Sequence, residues 1–182
     1  MSIQANTSVI IWAALGVVVL IGLAVLGLYL WRRAVRRYLL GLIGRREGIR
    51  AGLRSLENII RQLSALSDGE LVALALDPDT EERRELAEVA SQMHIAAEDL
   101  ATMALPKRLV TAADALSDAA ELLWEQAQAV ATGEGVEVLD AIAAIDLVAV
   151  RGFLSLADGE IVGLMEQYHV EEPAVYGGGL YI

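Results

Sequence analysis

The sequence predicts an all-α protein: a single N-terminal transmembrane helix continuing into a cytoplasmic antiparallel four-helix bundle with two short extra helices. Three observations carry this. Residues 9–31 read VIIWAALGVVVLIGLAVLGLYLW, without a charged side chain. Apolar residues then recur at spacings of three and four along most of the remaining chain. The breaks between those runs are short and carry Asp, Gly and Pro, which end helices.

Residues 9–31 come first. At 1.5 Å per residue they make about 34 Å of helix, enough to cross a hydrocarbon core of about 30 Å. Trp12 near one end, and Tyr29 and Trp31 at the other, suit the two interfacial belts. A cleaved signal peptide would want a basic leader, a shorter apolar run and a small-residue cleavage site. Residues 1–8 hold no Lys or Arg, and the apolar run ends in Arg32, Arg33, Arg36 and Arg37. The helix is therefore expected to be retained, with residues 1–8 as a short extracytoplasmic N-terminus. The arginine bias places the C-terminal domain in the cytoplasm, at the plasma (inner) membrane. Those four arginines also attract anionic lipid head groups, at about 1 kcal/mol each near the surface. As a stop-transfer signal they need no specific lipid.

Composition narrows the rest. A chain of 182 residues has room for one small domain beside an anchor. Without cysteine it has no disulfide, thiolate zinc site or cysteine nucleophile. The net charge of −11 conceals a division. Through Arg61 there are nine arginines against Glu47 and Glu57; beyond it five basic residues face 23 acidic ones. Nucleic acid requires cations against phosphate, so it is not an expected partner of this acidic part. Thirteen arginines against the single Lys107, amid abundant Ala and Leu, suit a GC-rich bacterial genome.

Residues 32–66 read as a basic juxtamembrane helix joining the bundle. Leu42, Ile49, Leu53, Leu56, Ile60 and Leu63 follow a heptad seam, interrupted where Arg46 takes an apolar slot. Gly44, Gly48 and Gly52 form a second face, and each lowers helix stability by about 0.8–1.0 kcal/mol relative to Ala. Close approach of another helix would justify them; so would a flexible joint near Gly41–Gly52 beside a membrane-surface segment. Close packing is the favoured expectation. Arg46, Arg50, Arg54 and Arg61 make a third face. Arg46 stands about 21 Å beyond Arg32 along the helix, further than a Debye length of about 8 Å, so its partner is expected to be protein.

Residues 67–168 read as the acidic helical-bundle domain. Ser67 and Glu70 fit a capping box before a short helix ending at Asp77-Pro78. A helix over about 80–104 buries Leu86, Val89, Met93, Ala97, Leu100 and Ala104. The next, about 106–132, buries Leu109, Ala113, Leu116, Ala120, Leu123, Ala127 and Val130, with Pro106 in its first turn. Gly133-Glu134-Gly135 stops it, and a fourth helix, about 136–156, shows Val138, Ile142, Ile145, Ala149, Gly152 and Leu156 on one side. Asp114, Asp118, Glu121 and Glu125 form an acidic stripe. It is read either as a solvated face or as the counterpart of the arginine row, within the bundle or between subunits.

One segment repeats: LSDGELVAL at 66–74 and LADGEIVGL at 156–164. Each copy is expected to end a long helix and begin a short one, so helix capping explains Asp-Gly-Glu without a ligand. Residues 169–182 read as a flexible C-terminal tail or a short docking peptide.

No arrangement suited to catalysis emerges. There is no phosphate loop, Gly-x-Ser-x-Gly, dinucleotide fingerprint or His-Glu-x-x-His. A di-iron bundle needs two Glu-x-x-His pairs; Glu166 with His169 is one, and His94 lacks the other. The expectation is neither enzyme nor cofactor nor metal site, but an interaction, scaffold or accessory subunit of a membrane-associated assembly. Its partners would be the bilayer, anionic lipids, and a protein or further copies of itself. The alternative is a membrane-bound signalling or regulatory module transmitting helix movements. A metal-binding bundle enzyme is the remote third reading.

Overall fold

The computed structural model of the protein describes the backbone of residues 2–171, and the side chains of residue 16 and residues 18–171. Trp12's side chain and most of the 169–182 tail fall outside the described residues. Six helices are present and no strand occurs among the described residues: α1 (Ser2–Leu63), α2 (Asp68–Leu76), α3 (Glu81–Thr102), α4 (Lys107–Thr132), α5 (Val136–Ala143) and α6 (Leu147–Tyr168). Internal contacts divide the chain into two units, Met1–Tyr38 and Leu39–Ile182.

In the first unit α1 is apolar and outward-facing. Leu20, Ile21, Leu23, Val25 and Leu28 are all more than half exposed. Over Val18–Leu63 an 18-residue window reaches a mean hydropathy of 1.8 while only 6% of it is buried, so the helix is long and apolar enough to cross a membrane. Tyr29 and Trp31 are exposed near the end of this apolar stretch, and Arg32, Arg33, Arg36 and Arg37 are exposed after it.

In the second unit α1 passes through Gly41–Gly52 without interruption. The heptad seam is its buried side: Leu42, Ile49, Leu53, Leu56 and Leu63 are buried, joined by Ile43 and Ile59. Arg46 is buried with them at 4% exposure, in the slot where the seam breaks. Helix α3 packs along α4, and α4 along α5 and α6. Three neighbours enclose α4 so fully that ten of its residues are buried, six of them alanine. Small side chains on that wide face allow close helix spacing, while Leu109, Leu116 and Leu123 fill the interior.

Helix ends follow local chemistry. Ser67 starts α2: the Glu70 carboxylate accepts from Ser67 N and Ser67 Oγ, both at 2.7 Å. Pro106 stands at the N-cap of α4 rather than within its first turn. At the opposite end of α4, Arg83 of α3 is buried to 3% exposure and donates from Nη2 to Ala131 O (3.0 Å) and Gly133 O (2.6 Å). A guanidinium thus meets carbonyls that have no partner within the helix, at its negative end. Nearby, Gly135 N donates to Ala75 O at 3.1 Å, tying the α4–α5 loop to α2.

The fourth predicted helix divides differently. Instead of one helix over 136–156 followed by a short one, α5 ends at Ala143 and α6 runs from Leu147 to Tyr168. Asp146 resets the phase by accepting from Val148 N (3.0 Å) and Ala149 N (2.9 Å). The buried face of α6 is accordingly Val150, Leu154, Ala157, Ile161, Leu164 and Tyr168, whereas Gly152 and Leu156 are exposed. The second Asp-Gly-Glu therefore does not break a helix. Ala157 occupies the place of the capping Ser67, and without a hydroxyl to cap a new start the helix runs on through Gly159.

Two predictions follow from these ends. Arg83→Met keeps the aliphatic packing but leaves the α4 carbonyls unpaired, and is expected to lower stability by about 1–3 kcal/mol, read from denaturant unfolding of the full chain in mild detergent. The Ser67 hydroxyl and amide hold the Glu70 pKa below the usual 4.5. A depressed carboxylate stabilises above its unfolded pKa and loses that contribution as pH falls through the folded value. The Ser67 amide resonance should titrate with a midpoint below 4.5, and Glu70→Gln should remove the titration.

Candidate functional site: the outer and inner faces of α1

The three faces of α1 in the second unit meet different surroundings. Gly52 is buried against α3: a Cβ there would lie 2.8 Å from both Sδ and Cε of Met93. Gly44 and Gly48 are exposed, and a Cβ at either would meet nothing within 4 Å among the described residues. The glycine strip therefore splits, with its last member packed inside and the first two on the outer surface. Ala51 and Ser55 continue the exposed side.

The arginine row also splits. Arg46 and Arg50 turn to α6 and share one carboxylate: Arg50 Nη2 donates to Asp158 Oδ2 at 2.6 Å, and Arg46 Nη1 lies 3.6 Å from Asp158 Oδ1. Glu47 closes the cluster, accepting from Arg50 Nη1 (2.8 Å) and Arg46 Nη2 (3.1 Å) at one oxygen. Two cations against two anions make the group neutral, which lets Arg46 sit at 4% exposure. Burial disfavours the charge on Arg50, but hydrogen bonding and attraction from Asp158, then from Glu47, outweigh it and raise its pKa above the ordinary arginine value. Further along, Arg151 of α6 donates to Glu57 Oε1 from Nη2 (2.7 Å) and Nε (3.2 Å). Toward α3, Arg45 Nη2 reaches Asp99 Oδ2 at 3.5 Å. Arg54 and Arg61 stay exposed, the latter donating to Asn58 Oδ1 at 3.4 Å.

The acidic stripe lies elsewhere. Asp114, Asp118, Glu121 and Glu125 are exposed on α4, while the carboxylates that meet Arg46 and Arg50 belong to Glu47 and Asp158. Asp158 is the residue that sequence reasoning missed. Its signal was available: the acid opens an Asp-Gly-Glu in the repeat copy that lacks the capping serine and so has no helix start to serve. His94 is half-exposed and stacks on Trp124, with ring centroids 4.5 Å apart and a 34° tilt. Its Nε2 is 3.6 Å from Glu98 Oε1. Among the described residues no three His, Asp or Glu side chains gather as metal ligands would.

The sharing of Asp158 has a measurable consequence. Asp158→Ala leaves two cations beside one anion, one of them buried, and is expected to destabilise the chain by about 2–4 kcal/mol after allowing for partial exposure. Asp158→Glu should recover part of that, since it keeps the charge. Chemical unfolding of both variants distinguishes the cluster from simple packing, which would rank Glu as the worse substitution.

No family model, curated protein or solved structure matches this chain.

Proposed function

We propose that the protein is a membrane-anchored assembly module, built to hold a partner protein or further copies of itself beside the membrane. In this reading the apolar part of α1 spans the plasma (inner) membrane of a bacterium with its N-terminus outside, and the second unit lies in the cytoplasm. The C-terminal part of α1 then joins α3, α4 and α6 in an antiparallel four-helix bundle. The pairings that support this run in opposite directions. Arg45 meets Asp99 while Gly52 meets Met93; Arg50 meets Asp158 while Glu57 meets Arg151; Ser117 meets Ala97 while Arg83 meets Ala131.

The observation that carries the proposal is the open space at Gly44 and Gly48. Two exposed glycines near the middle of a helix lower its stability by about 2 kcal/mol together relative to alanine, and nothing among the described residues makes use of the missing side chains. A second helix laid against that face would. Exposed Arg54 and Arg61 beside it, and the exposed acidic stripe on α4, provide charges of opposite sign to set the register between subunits, at about 0–1 kcal/mol per pair. The unbroken passage of α1 through Gly41–Gly52 favours a second role, transmission of helix movement from the membrane to the same surface.

Gly48→Leu tests the reading. It should leave the fold intact and, by helix propensity, somewhat more stable, because space is open there, yet abolish cross-linking to self or partner in membranes. Gly44→Ala should stabilise the monomeric unit by about 0.8–1.0 kcal/mol, whereas Gly52→Leu should destabilise it by colliding with Met93. Undiminished cross-linking of Gly48→Leu would reject the assembly surface. An inserted residue after Arg37 that alters output while cross-linking survives would favour the transmission role.

A further inference from the structure

The end of the helical unit at which α1 enters carries a chemistry unlike the rest. Arg45 beside Asp99 and Arg50 beside Asp158 show that α3 and α6 both run toward Leu39 as they approach their C-termini. Arg108 Nη1 donates to Tyr168 Oη at 3.5 Å, which places the start of α4 beside the end of α6. The α3–α4 loop, residues 103–106, therefore sits at the entry end of the unit, and the α4–α5 loop sits about 39 Å away, the length of α4 at 1.5 Å per residue.

No acidic residue occurs between Asp99 and Asp114, the longest such gap beyond Arg61. Within it stand Lys107 and Arg108, two of the five cations in that acidic part, both exposed. Beside them Ala104 is exposed, Met103 and Leu105 are half-buried, and Val110 is 39% exposed. Met103, Leu105 and Val110 help to line an open groove of about 470 Å³, whose acidic residues, Asp114 and Asp118, lie one to three turns further along α4. Glu166 and Glu171 are the exposed acids at the end of α6. Beyond α1, where the exposed charges are mostly acidic, a loop with apolar side chains and adjacent cations is the segment suited to an anionic lipid surface.

We propose that the α3–α4 loop, with Met103, Leu105, Lys107 and Arg108, is a second membrane contact, which docks the entry end of the helical domain onto anionic lipid head groups. The proposal rests on the anchor reading above, since α1 must bring this end to the bilayer. The apolar side chains enter the head-group layer while Lys107 pairs with lipid phosphate, and Arg108, held at Tyr168, adds positive charge beside it. The far end of the domain, with exposed Glu134 and Glu137 at the α4–α5 loop, is repelled by an anionic leaflet, so the contact also fixes which of these two ends faces the lipid.

Because the chain has no cysteine, Ala104→Cys gives a single labelling position at this loop, and Glu134→Cys gives one at the far end. The full-length chain carrying a fluorophore at position 104 or 134 is placed in nanodiscs of phosphatidylcholine with or without phosphatidylglycerol, and acrylamide quenching is measured. The expected result is protection at position 104 but not 134, stronger with phosphatidylglycerol. Lys107→Glu should shift the docked fraction at least about fivefold toward the undocked state, the weight of one surface cation. Protein that enters the discs but shows equal quenching at both positions overturns the docking contact while leaving the anchor intact. Protein that fails to enter the discs overturns the anchor and this proposal with it. Protection that ignores phosphatidylglycerol and vanishes in discs holding one copy assigns the loop to a contact between copies, and rejects lipid.

Discussion

One carboxylate holding two guanidinium groups is the constraint on which the helical unit depends. Asp158 lies on α6, Arg46 and Arg50 on α1, and 108 positions of sequence separate Arg50 from its partner. A hydrophobic seam alone sets the distance between two helices but tolerates sliding by a heptad. A part-buried ion cluster does not, because sliding takes Asp158 from Arg50, 2.6 Å away, and leaves two cations beside Glu47 where water reaches poorly. Arg50 with Asp158 therefore fixes the register of α1 against α6, and Arg151 with Glu57 repeats the match two turns further along α1 at the surface.

Beyond this contact α1 has two opposed characters. Its inner side is made of large aliphatic residues and one notch, Gly52, filled by the flexible side chain of Met93. Its outer side is small, with Gly44 and Gly48 open to solvent. A helix needing only a solvated outer face would gain stability from Ala, Glu or Lys at those positions. Glycine at both positions is what the proposed helix contact would use.

Much of this architecture was legible in the residues. The apolar run, the seam from Leu42 to Leu63, the capping box at Ser67 and the buried face of α4 all arise from local chemistry, and local chemistry is what a sequence displays. Even the anomaly at Arg46 was visible as a charge in an apolar slot. Its partner was not, because pairing across 108 positions leaves no periodic trace. The error at the fourth helix has a similar origin. Asp-Gly-Glu reads as a helix start in both repeats, but only Ser67 supplies the hydroxyl, and Asp158 is drawn instead into a contact formed by tertiary packing. Asp146 is the cap of α6, but the apolar spacing around it mimics continuity. The division of the glycine strip was likewise beyond reach: Gly44, Gly48 and Gly52 look equivalent until Met93 is placed beside one of them.

The separation of Arg46 and Asp158 along the chain also has a meaning in time. Helices α3 and α4 are joined by a short loop and can pair as soon as both have left the ribosome. Helix α1 is made first, yet the carboxylate that neutralises its inner arginines is translated 108 residues after Arg50. At about 5–20 residues per second, that is an interval of roughly 5–20 s. Until then Arg46 and Arg50 have Glu47 beside them but not Asp158, and closure of α6 is the step that completes the cluster.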